Sequence, residues 1–142
     1  MRAFKLFLLA IIFLSSCNKT SVQTNNYFVA FSATLNGASE VPSNVSAAKG
    51  TASAVYNKNT GILTVNVTWS GVTATAAHIH TGSAGVNGAI VFTFSTVISP
   101  INYTTVALTA AQEKDLLANL YYVDIHSAAY PNGEIRGQLI LQ

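Results

Sequence analysis

The sequence predicts an all-β domain, an antiparallel Greek-key β-sandwich with one short helix, and three observations favour this fold class. Residues 61–69 alternate apolar and polar side chains, with Leu63, Val65, Val67 and Trp69 on one face, which is the period-2 pattern of a half-buried antiparallel strand. Other short segments rich in β-branched and aromatic residues are separated by turn-forming residues, as strands are. Only one segment carries helix signals, and many strands with few helices are typical of sandwiches and barrels.

The predicted strands are short and are spread along the chain. The turn at residues 57–61 connects the alternating strand to residues 50–56, so these two segments are expected to form a hairpin. Residues 28–35, 89–94 and 121–126 are the further predicted strands, because their side chains suit a pleated sheet.

One short helix is predicted near residues 109–118. Thr109 and Gln112 have the spacing of a capping box, in which each residue bonds the backbone N–H of the other. Glu113 lies near the positively polarised start of the helix, where an acidic side chain is favoured. The side facing the core is expected to contain three leucines: Leu116, Leu117 and Leu120.

The first 16 residues are predicted to be an export signal rather than part of the fold. Arg2 and Lys5 give a basic start, and an apolar run at residues 6–14 follows, which is the layout of a secretory signal. This run is much shorter than the ~20 residues of a membrane-spanning helix. Residues 14–17 (LSSC) resemble the bacterial lipoprotein cleavage box, which implies that Cys17 becomes the lipidated first residue of the mature chain.

A lipid on Cys17 would attach the protein to a membrane of the bacterial cell envelope. Residues 17–27 are mostly polar and are expected to form a flexible tether. Asn18 follows the cysteine in place of the aspartate that retains many lipoproteins in the inner membrane, which favours the outer membrane. Cys17 is the only cysteine, so neither an intrachain disulfide nor a cysteine-based metal site can form.

The charge of the mature chain argues against nucleic-acid binding. Loss of Arg2 and Lys5 with the signal lowers Lys+Arg from 7 to 5, which equals the count of Asp+Glu. Binding to phosphates requires clustered basic side chains, and the remaining sequence has no such cluster. We therefore expect no nucleic-acid partner.

The chain has three histidines, and strand parity predicts that they share one face. Apolar Ile79 is expected to point into the core, so His78 and His80 point outward. The same alternation in residues 121–126 places His126 outward, together with Tyr122 and Asp124. Two imidazoles at i and i+2 of a strand can bind one ion, and imidazole suits zinc, copper and nickel. The tentative metal ligands are therefore His78, His80 and His126.

Four charged residues could support this site. Asp124 or Glu134 could serve as a fourth ligand or could orient a histidine. Arg136 shares a strand face with Glu134 and could bind a ligand, or it could form a structural ion pair with Glu134 or with Glu40. The preferred interpretation is that the histidines form a hydrogen-bonded structural network with these carboxylates and the backbone, without metal.

The sequence resembles the CHRD domain family, the module named for its repeats in chordin, over about residues 28–142. Two substitutions depart from the family pattern: Ser43 stands where a second proline is common, and Asp124 where asparagine is common. The resemblance implies an extracytoplasmic β-sandwich, found in bacterial envelope proteins and in extracellular animal proteins, with no established catalytic activity. Four motifs carry it, in order: residues 31–42, residues 77–88 (AHIHTGSAGVNG), residues 122–127 and residues 131–139.

The preferred hypothesis is a non-catalytic envelope lipoprotein with one CHRD sandwich that does binding or structural work. A protein or glycan partner stays open, and Tyr121, Tyr122 and Tyr130 could offer an aromatic platform to either. The alternative is a metalloprotein with a three-histidine surface site for copper or zinc, with redox activity as a further option. The His-x-His strand is also similar to that of copper/zinc superoxide dismutases, so the sandwich could be immunoglobulin-like or superoxide-dismutase-like. A dismutase-type copper and zinc pair needs more than three histidines, however.

Overall fold

The computed structural model describes residues 27–142 of the chain. The predicted signal peptide, the lipidated Cys17 and nearly all of the tether lie outside the described residues and stay predictions. Tyr27 already belongs to the domain, because its carbonyl accepts a hydrogen bond from the Lys58 N–H at 2.8 Å.

Within residues 27–142, the chain forms nine β-strands, one α-helix and one 3-10 turn at Gly37–Ser39. All strand pairs are antiparallel. The elements in chain order are β1 (Phe28–Asn36), β2 (Lys49–Asn57), β3 (Ile62–Ser70), β4 (Ala74–Thr81), β5 (Ile90–Thr93), β6 (Ile101–Thr104), α1 (Ala110–Leu117), β7 (Tyr121–Ser127), β8 (Ile135–Gln138) and β9 (Ile140–Leu141).

The strands form one curled sheet whose two halves pack against each other. The order along the sheet is β5-β4-β7-β8-β1-β2-β3-β6, and β9 pairs with β1. Two long connections give the Greek-key character, since β6 returns beside β3 and β7 returns beside β4. The prediction of an all-β antiparallel sandwich with one short helix is confirmed. The strand order is not that of the immunoglobulin fold, in which strands A, B, E and D share a sheet.

The alternation of the sequence decides which side chains form the core. Leu63, Val65 and Val67 are fully buried, and the predicted hairpin pairs β2 with β3 in register. Trp69 lies on the predicted face but is only partly buried, because it is close to the end of β3. Leu141 is apolar but 44% exposed, because it is the last residue of the two-residue strand β9.

The helix forms where its capping box predicts it. The Thr109 hydroxyl accepts a hydrogen bond from the Gln112 N–H at 3.3 Å, and the Gln112 side chain accepts from the Thr109 N–H at 2.9 Å. Leu116 is the helix residue that is fully buried. Asn119 ends the helix with a φ of 58°, the left-handed conformation that asparagine tolerates well, and the chain then enters β7.

Among the described residues, the structure has no helix with the length and the apolar character required to cross a bilayer.

Candidate metal centre

The register of β4 against β7 brings the three histidines onto one face of the sheet. His78 lies opposite Asp124, His80 opposite Tyr122, and His126 opposite Ala76. Side chains of directly opposed strand residues point to the same face, so the parity that the sequence predicts produces a real cluster. Each histidine offers a ring nitrogen that lies within 4.8 Å of those of the other two.

Backbone carbonyls fix the tautomers of two of these rings. His80 donates from Nδ1 to the Gly88 carbonyl at 3.0 Å, and His126 donates from Nδ1 to the Pro131 carbonyl at 3.1 Å. A carbonyl can only accept, so in each neutral ring Nδ1 carries the hydrogen and the Nε2 lone pair is free. This is the usual way in which proteins orient metal-binding histidines.

The third ring, that of His78, contacts the Nε2 atom of His126. His78 Nδ1 lies 3.1 Å from His126 Nε2, and since that Nε2 accepts, His78 donates. Burial lowers the pKa of His78 below its ordinary value, with smaller contributions from His126 and His80. The lowered pKa favours the neutral form of His78, which is the form that binds metal.

The distances between the ring nitrogens suit one ion. Three nitrogens at ~2.0–2.1 Å from a metal are ~3.3–3.6 Å apart in trigonal or tetrahedral geometry. The distance of 3.1 Å from His78 Nδ1 to His126 Nε2 is close to this range, and one ligand nitrogen of each ring lies within 4.8 Å of those of the other two. The ligand atoms would be His80 Nε2, His126 Nε2 and His78 Nδ1, and His78 would then carry its hydrogen on Nε2 instead of Nδ1.

Asp124 faces the same space as the free nitrogens. Its Oδ1 lies 3.7 Å from His126 Nε2, and its Oδ2 lies 4.0 Å from His80 Nε2. His80 Nε2 is buried and has no hydrogen-bond partner, whereas the Asp124 carboxylate accepts a hydrogen bond from the Glu40 carboxyl. Asp124 does not orient the rings, because their Nδ1–H groups bond to backbone carbonyls and Asp124 lies on the Nε2 side. Its carboxylate could instead be a further ligand or could balance the charge of an ion.

Glu40 is buried beside Asp124. Burial raises the pKa of Glu40 to about 8, and the neighbouring Asp124 carboxyl adds to the shift. Burial also raises the pKa of Asp124, against the opposing effects of His126 and His80. Gly133 allows this close packing, because a Cβ there would lie 2.6 Å from Glu40 Oε2 and 2.8 Å from Asp124 Oδ1.

Arg136 supports the cluster through contacts that the sequence did not predict. Within residues 27–142 it has no carboxylate within 4.0 Å, and its guanidinium instead lies 3.3 Å from the centroid of the Tyr122 ring. The Tyr122 ring stacks on His80 with centroids 4.9 Å apart and planes inclined by 9°. The expected ion pairs of Arg136 with Glu134 or Glu40 are therefore absent from the described structure.

The loop between β4 and β5 is held over the site by Arg136. The guanidinium donates to the carbonyls of Ser83 and Val86 at 3.1 and 2.9 Å and to Asn87 Oδ1 at 3.2 Å. Gly88 in the same loop accepts from His80 and donates to the Tyr122 hydroxyl at 3.1 Å. Arg136 thus positions His80 through both the loop and the aromatic ring.

Glu134 contributes to a different part of the structure. Its Oε1 accepts a hydrogen bond from the Ser46 hydroxyl at 2.7 Å. The group whose ligand atoms converge contains only the three histidines among the described residues. Tyr121 and Tyr122 are fully buried, so they offer no exposed aromatic platform for a sugar or peptide.

Two backbone carbonyls, those of Gly88 and Pro131, complete the site. Neither was predicted from the sequence. The one signal for the first was the glycine spacing of residues 82–88, which marks a loop that approaches other backbone closely. A Cβ at Gly88 would overlap the Thr81 carbonyl oxygen.

The family comparison agrees with the motifs that form this site. The family model of the CHRD domain matches residues 31–139, a span that includes all three histidines, Glu40, Asp124 and Arg136. The chain belongs to the CHRD domain family. No curated protein and no solved structure matches the chain. The CHRD match supports a β-domain module, and it assigns that module no reaction.

Glu40→Gln should change how the stability of the metal-free CHRD domain depends on pH. With a folded-state pKa of about 8 against an ordinary 4.5, Glu40 stabilises the fold fully below pH ~4.5 and loses this contribution as pH rises through ~8. Gln cannot ionise, so the variant should lack this loss. The lowered pKa of His78 has the opposite effect, because it reduces the stability of the fold at acid pH. Both proteins contain His78, so this effect is present in each. The difference between the melting temperatures of the two proteins in chelator, measured from pH 5 to 9, reports Glu40 together with its effect on the neighbouring Asp124; a pH-independent difference contradicts the expectation.

Proposed function

We propose that this CHRD domain is a lipid-anchored module of the bacterial envelope that binds one transition-metal ion, copper or zinc. His78, His80 and His126 supply the three nitrogen ligands, and Asp124 supplies a nearby carboxylate. One observation carries the proposal: backbone carbonyls fix the Nδ1–H groups of His80 and His126, which leaves their Nε2 atoms as acceptors, and one ligand nitrogen of each of the three rings lies within 4.8 Å of those of the other two. Three imidazoles with open coordination positions suit both metals.

A purely structural histidine network is less well supported by the same contacts. Such a network satisfies its buried polar atoms, because an unpaired buried donor or acceptor costs ~1–3 kcal/mol. His80 Nε2 is buried without a partner, and it lies 4.0 Å from Asp124 Oδ2, too far for a hydrogen bond. A cation bound between the ring nitrogens would provide the missing partner.

Titration calorimetry of the purified mature protein, made without a His tag, tests the proposal. We expect one ion per chain, with copper(II) bound more tightly than zinc, following the general order of divalent metal affinities. His78→Ala should weaken both. Binding should fall at acid pH as the imidazoles become protonated. Affinity weaker than about millimolar, or equal in the variant, would remove the metal site and leave the preferred hypothesis of the sequence, a metal-independent binding or structural module.

Cys17→Ser should release the protein from the membrane. Residues 6–14 are too short to span a bilayer, and residues 18–26 are polar, so a lipid on Cys17 is the expected attachment. The measurement is fractionation of cells that express each form, followed by a carbonate wash. A Lys19→Ser variant, which keeps the cysteine, is the control. Full retention of the Cys17→Ser protein in the membrane fraction would contradict a lipid anchor.

A further inference from the structure

One end of the sandwich carries a concentration of exposed apolar side chains. Ten large apolar side chains are exposed among residues 27–142, and five of them are Tyr27, just before β1, and residues at the start of β1, near the end of β2 and in the C-terminal β9. Phe28, the most exposed of these five, is 58% exposed. We define the tether-end patch as four of the apolar residues that line one hollow of about 550 Å³: Phe28, Val55, Leu117 and Leu141.

We propose that the tether-end patch docks on the surface of the membrane that holds the lipid anchor. This rests on the lipid anchor of the proposed function, but not on its metal site. The chain outside the described structure joins the domain at Tyr27, beside the patch. Nine residues separate Cys17 from Tyr27, and even a fully extended segment of this length reaches only ~32 Å. The tether therefore holds Tyr27 and the adjacent patch within ~32 Å of the lipidated residue.

The chemistry of the patch suits a lipid surface. The connecting residues 18–26 are polar, with Val22 as their single aliphatic residue, so they do not provide an apolar cover. Lys58 is the one charged residue that lines the hollow, and an ammonium group beside apolar side chains complements anionic lipid headgroups. The contribution of so few side chains is small beside that of the acyl chains, so the patch orients the domain rather than anchoring it.

Docking at this end directs the histidine face away from the lipid. β1 runs from Phe28 in the patch to Asn36, which lies opposite Arg136 on β8. Arg136 lies opposite Asp124, and Asp124 lies opposite His78. The eight steps of β1 at ~3.3 Å each separate the two ends by ~26 Å. The orientation leaves the histidine cluster open to the surrounding compartment.

Two tryptophan reporters test the orientation in the lipidated protein. In a Trp69→Phe background, Phe28→Trp places the fluorophore in the patch, and Val45→Trp places it in a loop at the far end, where Val45 is 96% exposed. The proteins are reconstituted into phosphatidylcholine–phosphatidylglycerol vesicles with or without bromine on the acyl chains. We expect the Phe28→Trp reporter to lose most of its emission in brominated vesicles and the Val45→Trp reporter to keep its emission.

Equal quenching of both reporters, or quenching of neither, would overturn the proposal. A blue shift of the Phe28→Trp reporter that grows with protein concentration and ignores bromine would also overturn it, since it indicates a second copy on the patch. Mass measurement of the mature N-terminus shows whether the lipid is present. A protein without the lipid anchor is thereby distinguished from a lipidated protein whose patch does not dock. Hydrogen exchange of the unsubstituted protein, which should show protection of residues 27–30 and 140–142 in vesicles relative to detergent, covers the case in which a reporter variant does not fold.

Discussion

His80→Ala should remove high-affinity copper(II) binding. The substitution deletes the ligand whose Nε2 is buried without a partner, and its loss should exceed the ~10–100-fold effect of deleting a supporting hydrogen bond. Competition with a copper chelator of known affinity measures the change. Thr93→Ala is the matched control, because Thr93 is exposed and lies opposite His78 on β5, and it should bind copper like the unsubstituted protein.

The same substitution should remove the effect of metal on stability. A ligand that binds only the folded state adds ~2.7 kcal/mol to the free energy of unfolding at 100 times its dissociation constant. Copper should therefore raise the melting temperature of the Thr93→Ala control and leave that of His80→Ala unchanged. A metal-dependent increase of the same size in both proteins would show that the ion binds elsewhere.

Much of the fold follows from short-range patterns in the sequence. The period-2 alternation of residues 61–69 identifies β3 and its buried face, and the capping box at Thr109 identifies the start of α1. Both signals are local, because side-chain alternation and end capping depend on neighbours in the chain. Leu141 has the same apolar character but is exposed, since its burial depends on where the sheet ends.

The convergence of the histidines was predictable only in part. Parity places His78 and His80 on the outer face, but the pairing of β4 with β7 is a long-range feature that no local pattern encodes. The charge of Arg136 predicted a carboxylate partner, whereas the folded chain surrounds it with the Tyr122 ring and loop carbonyls. Every residue has a carbonyl, so the sequence does not indicate which carbonyls, here those of Gly88 and Pro131, orient the imidazoles.

Gly88→Ala should reduce both the stability of the domain and its affinity for metal. A Cβ at this position would overlap the Thr81 carbonyl oxygen, and Thr81 belongs to the rigid strand β4, so the loop has to move. The movement breaks the hydrogen bond from His80 Nδ1 to the Gly88 carbonyl and the bond from the Gly88 N–H to the Tyr122 hydroxyl. We expect a copper affinity lower by ~10–100-fold, the usual effect of losing such a support.

Gly85→Ala separates this specific effect from a general disturbance of the loop. Gly85 has a φ of 78°, so alanine is strained there, but a Cβ would meet nothing within 4 Å. The control should lose ~1 kcal/mol of stability and keep its copper affinity, because no ligand depends on Gly85. Thermal melts in chelator and copper competition on both variants give the comparison. If Gly88→Ala binds copper as tightly as Gly85→Ala, the Gly88 carbonyl does not orient His80 for metal, and the ring must be held by its stacking on Tyr122 alone.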